Sequence, residues 1–204
     1  MAAQMLEQIK PEDTVVHELE RVSAGEPSEE VDSGLDEEDE EDEEEPIDTG
    51  VRVEAKGIYV ILRTTPIESK YRWSIFVARS DTQGIGTHQK DDKETWRYVM
   101  DPAMEISESE DLLVALKVGV LDDVTDDWMD AVEFCLAQTK VSRNTTFSGR
   151  TWAMAAVYEL ADGGFIDLQP DWNGIAKIEM EAQKLAGEAA SKGSRIVKSS
   201  TILR

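Results

Sequence analysis

Residues Gly149 to Ala161 read GRTWAMAAVYELA. After Arg150 and Thr151 the run is apolar almost all the way round, with Glu159 the one charged interruption. A helix with no polar stripe belongs inside a domain, because every side of it needs cover from water. Its ends are marked. Ser148 is a good N-cap residue and Gly163-Gly164 is a stop. The spacing therefore predicts a central buried helix with the remaining elements packed around it.

The chain has 204 residues and a formal net charge of −23. That is room for one domain and a tail. The charge is unevenly spread, since residues 1–50 hold 20 acidic and 2 basic residues. The remaining 154 residues are only mildly acidic, at −5. Residues 36–45 are an unbroken acidic run, which repels itself and has nothing to bury. Residues 1–50 are expected to form a disordered acidic tail, which solubilises the domain or contacts a basic partner. Residues 51–190 are expected to form a single α+β domain. Residues 191–204, with four basic and no acidic side chains, are expected to be a flexible basic tail.

Several function classes are excluded on this reading. No basic stripe with interleaved aromatics is present, so nucleic acid is not an expected partner. No run approaches about 20 apolar residues, so no membrane span is expected. The N-terminus lacks an apolar h-region, which makes a cytoplasmic or nuclear location the default. One cysteine, Cys135, and one histidine outside the tail, His88, are too few for a structural zinc site of about four ligands. No cofactor motif is found.

Ordered structure is expected from Val51. Residues 51–63 are rich in β-branched and aromatic side chains and read as a strand, or as a strand pair broken at Gly57. Tyr71–Arg79 is a further strand, and residues 81–84 are turn chemistry. Ile85–Gln89 and Thr95–Met100 are short strands. Together these make an antiparallel meander. Leu112–Leu121 leans to strand. Thr125 opens a helix with a stripe through Trp128, Val132, Cys135 and Leu136. Phe165-Ile166 is a candidate edge strand. A last helix runs from about Trp172 to Ala190.

Three segments carry a resemblance. Tyr71-Arg72-Trp73-Ser74-Ile75-Phe76-Val77 is similar to the strand Tyr-x-His-Trp-x-Ile/Leu-Tyr-Val of the permuted papain-fold group, which includes NlpC/P60-like and lecithin retinol acyltransferase-like proteins. Ser148-Gly149-Arg150-Thr151-Trp152 resembles the Asn-Cys-x-x-Trp/Phe that opens that group's central helix. Gly86-Thr87-His88 resembles the strand that carries its second polar catalytic residue. The layout is also similar to uncharacterised fungal proteins of this type.

The resemblance implies a papain-like fold and a thiol mechanism that this chain lacks. In that group a cysteine at the helix start is held as thiolate by the dipole and free amides. A histidine from the neighbouring strand moves the proton. Here Arg72 matches the base, and an arginine stays protonated. Gly149 matches the nucleophile and has no side chain. The implied protein is a degenerate, non-catalytic binding or interaction module. Its candidate ligand residues are Arg72, His88, Gly149 and Arg150, and an acidic small molecule or a protein is the expected partner. The catalytic alternative is an acyltransferase or amide hydrolase using His88 with Cys135 or Ser148. A further alternative is an accessory protein of a small-molecule biosynthetic pathway.

Overall fold

The computed structural model describes residues 50–67, 70–91, 96–140 and 146–203. Residues 1–49 of the expected acidic tail lie outside the described residues. Six strands form one sheet: β1 (Gly57–Thr64), β2 (Tyr71–Ala78), β3 (Gln83–Asp91), β4 (Trp96–Glu105), β5 (Leu112–Val120) and β6 (Ile196–Ser199). Three helices, α1 (Asp126–Gln138), α2 (Gly149–Asp162) and α3 (Trp172–Lys192), lie between β5 and β6 in sequence. The sheet order is β4-β3-β2-β1-β5-β6. The pairs from β4 to β5 are antiparallel, whereas β6 runs parallel to β5. The fold is therefore α+β on a mixed sheet.

Both faces of the sheet are covered near its centre. Ile58, Val60, Leu62, Trp73, Ile75 and Val77 pack with the helices in the larger core. The alternate residues Tyr59, Ile61, Phe76 and Ala78 form a second, smaller core with Val51, Val53, Ile106 and Leu112. Side chains alternate between faces along a strand, so β1 is apolar at nearly every position because both its faces are buried. Residues 51–56 were expected as strand but are not. They cross the outer face, the one turned away from the helices, and enter β1 through Lys56 at φ +67°.

The helix that opened the sequence reading is central. Its buried residues include Trp152, Ala153, Met154, Ala156, Val157 and Leu160, and it packs against β2, α1 and α3. Ser148 caps it in a capping box: Ser148 Oγ accepts from Thr151 N at 3.2 Å and Thr151 Oγ1 accepts from Ser148 N at 2.9 Å. Two orphan donors of the helix start are thereby satisfied. Thr125 stands at the N-cap of α1 but its side chain makes no capping bond.

Three elements differ from expectation. Phe165-Ile166 is not an edge strand. Ile166 packs down onto Gly119, where an added Cβ would lie 2.3 Å from Ile166 Cγ2. The β3–β4 hairpin is longer than the short strands predicted, because Pro102 lies on the edge strand, where a missing N–H costs no ladder bond. Residues 191–203, within the expected flexible tail, are ordered structure. They finish α3 and form β6, and Glu181 of α3 accepts from Ser200 Oγ at 2.8 Å and Thr201 N at 3.1 Å.

Candidate functional site

The start of α2 abuts β2. A Cβ built on Gly149 would lie 3.8 Å from the Trp73 carbonyl oxygen, with nothing closer. This juxtaposition forms the back of a cleft of about 890 Å³. The helix side contributes Ser148, Gly149 and Arg150. The sheet side contributes Tyr71, Arg72 and Trp73 from β2, Gln89 and Asp91 from β3, and Trp96 from β4. Ile67 and Lys70 close one end. The cleft thus combines aromatic walls with two cationic side chains, Lys70 and Arg150, and with the positive end of a helix.

Strand alternation explains which side chains face the helices. Trp73 and Ile75 are in the larger core, so the paired residues Thr87, Gln89 and Asp91 of β3 lie on the same side. Tyr98, opposite Gln89, packs on Trp152 with ring centroids 6.0 Å apart. Burial pushes the Tyr98 phenol up to about 12, with Glu133 adding to the shift, so it stays neutral. Trp96 belongs to the cleft rather than to the core. It is 38% exposed and tilts against Phe147 at 5.0 Å, forming a cleft wall.

The same alternation separates the sequence candidates. Arg72, Gly149, Arg150 and Ser148 come together at the cleft. His88 does not. It pairs with Ser74, which lies between Trp73 and Ile75 and so faces away from the helices. Arg72 is on that outer side too, and its guanidinium reaches Asp111 at 3.8 Å while its residue still borders the cleft. Arg150 pairs with Glu179 of α3 at 3.4 Å, which offsets the poor placement of a cation near a helix N-terminus.

The catalytic alternative finds no constellation here. Cys135 sits within α1, half-buried, beside the larger core. Burial raises its thiol pKa and Glu159 raises it further, which is the reverse of what an activated thiolate needs. Ser148 Oγ is committed to the cap. Burial lowers the His88 pKa, with Arg72, Arg63 and Lys90 adding to it. His88 and Ser148 thus lie on opposite faces of the sheet, and a base must come within about 3.2 Å of the proton it takes. Among the described residues no group of three or more His, Cys, Asp or Glu is placed to hold a metal ion. No described helix is long and apolar enough to cross a membrane.

Sequence reasoning missed Lys70, Gln89, Asp91 and Trp96 as cleft residues. The period-2 step from Trp73 across to β3 would have found Gln89 and Asp91 had the hairpin register been known. No family model matches this chain, and no curated protein or solved structure does either.

Proposed function

We propose that this chain is a non-catalytic binding module on a permuted papain-like plan, whose cleft at the start of α2 takes a small acidic molecule with a flat apolar body. The observation that carries the reading is Gly149, a residue without a side chain, at the helix start that faces β2. The helix terminus, Lys70 and Arg150 favour an anion. The walls of Tyr71, Trp73 and Trp96 favour a planar hydrophobic group. An accessory role in a small-molecule pathway fits the same cleft. The enzyme reading is disfavoured by the separation of His88 from Ser148 and by the raised pKa of Cys135.

The test is tryptophan fluorescence with two probes of one shape, 2-naphthoate and 2-naphthalenemethanol. The anion is expected to bind and the alcohol to bind at least about tenfold more weakly, a difference near 1.4 kcal/mol. Arg150→Ala should remove most of that preference. Equal binding of the two probes, or no binding of the anion at millimolar concentration, sinks the reading. Native Cys135 that alkylates faster than the unfolded chain at neutral pH would instead revive the enzyme.

A further inference from the structure

The outer face of the sheet carries a row of cations that the sequence does not display. Arg63 of β1 is directly opposite Arg72 of β2. Lys90 of β3 is directly opposite Arg97 of β4. The β2–β3 ladder ends at Ser74 opposite His88, and Arg72 and Lys90 are the next residues on the same face beyond that last pair. Arg63, Arg72, Lys90 and Arg97 therefore form one line across four neighbouring strands. Strands lie about 4.8 Å apart, so the line is roughly 14 Å long.

This arrangement works against the fold. Like charges directly opposite one another destabilise a sheet, and the row contains two such pairs side by side. Compensation is partial and confined to one end. Asp111 reaches Arg63 at 3.4 Å and Arg72 at 3.8 Å. Lys90 and Arg97 are exposed and have no ion pair among the described residues. In the next row, Ser74 is 2% exposed and its Oγ has no hydrogen-bond partner among the described residues. The neighbours of His88 give the same picture of local positive potential, with Arg72, Arg63 and Lys90 all disfavouring its charged form and only Asp101 opposing them. A domain whose residues 51–204 are net acidic thus gathers four cations on one line.

We propose that the exposed cations Arg72, Lys90 and Arg97, continued inward by the buried Arg63, form a docking surface for an acidic peptide segment of a partner protein. An extended peptide repeats its side chains on one side about every 7 Å, so two alternate carboxylates fit along the roughly 10 Å from Arg72 to Arg97. Charge complementarity of this kind sets orientation and speeds encounter. Single-stranded nucleic acid fits less well, because it needs aromatic platforms for its bases. The exposed aromatic nearby, Trp96, alternates with Arg97 and so lies on the cleft side. The surface is on the opposite side of the sheet from Gly149 and does not depend on what the cleft binds.

The experiment is fluorescence anisotropy of labelled decaglutamate on the full chain at low salt. It is run on a background in which the acids of residues 36–45 are replaced by their amides, so that the chain's own carboxylates do not compete. Binding is expected, and Lys90→Ser with Arg97→Ser should weaken it at least about tenfold. Those two residues are exposed, so the variant should melt no lower than its parent. Lys140→Ser with Lys177→Ser, an equal charge change outside the row, should leave binding unchanged. Absence of binding, an equal loss in the helix variant, or tighter binding of a labelled deca-thymidine overturns the proposal.

Discussion

Gly149 occupies a position where a side chain would fit. Its nearest neighbour to an added Cβ is 3.8 Å away, an ordinary contact, and its φ is not positive. Steric need does not explain the glycine, unlike Gly86, where an added Cβ would lie 2.1 Å from Met104 Sδ. Gly149→Ala is therefore expected to hold or raise the melting temperature, by up to about 1 kcal/mol through the unfolded chain. Differential scanning calorimetry decides it, and a clear drop would mean the backbone there needs glycine. His88 makes a separate prediction. Its pKa is lowered from the ordinary 6.5, by burial first and then by Arg72. A base with a depressed folded pKa binds its proton less readily folded than unfolded. Its effect is absent well above 6.5, and stability is lost as pH falls below 6.5 towards the folded value. Urea unfolding at pH 7.5 and 5.5 should show a larger loss in the wild type than in His88→Gln. Equal losses would place the acid sensitivity in the carboxylates alone.

At the scale of elements, β6 gives the sharpest expectation. Val114↔Ile196 through Lys117↔Ser199 pair in parallel, Ser200 N donates to Lys117 O at 2.9 Å, and Glu181 holds the residues beyond. Ending the chain after Ser194 should lower unfolding stability by about 2–4 kcal/mol, from several ladder and side-chain bonds near 1 kcal/mol each. An unchanged urea midpoint would make β6 dispensable. This strand was illegible in the sequence for a physical reason. Three of its four residues, Val197, Lys198 and Ser199, are exposed, so no apolar pattern is required of it. α2 was legible for the opposite reason, since burial on nearly all sides forces an all-apolar composition. The cleft was half legible. The neighbours of Gly149 followed from the resemblance, but the face of each strand residue depends on hairpin register. A one-residue step moves a side chain to the other side of the sheet. That step separates His88 from Gln89.

At the scale of the whole molecule, the sheet keeps two anion-attracting surfaces apart. Arg150 belongs to the cleft and Lys90 to the outer row. Combining Arg150→Ala with Lys90→Ser should give additive changes, each affecting one probe, as expected for distant sites without shared partners. Arg72 borders the cleft, but its guanidinium lies with the outer row. Arg72→Ala should therefore weaken decaglutamate binding and leave naphthoate binding nearly unchanged. A loss of both probes in Lys90→Ser alone would show that the two faces are coupled.

The placement of β6 also orders events during synthesis. The hairpins from β1 to β4, and β5 beside β1, can pair as soon as residues up to Val120 have emerged. The partner for the other side of β5 is made some 80 residues later. Until then the unpaired groups of Val114–Lys117 form an open edge, the kind of template on which nascent chains join one another. Residues far downstream of β5 are the ones that seal that edge.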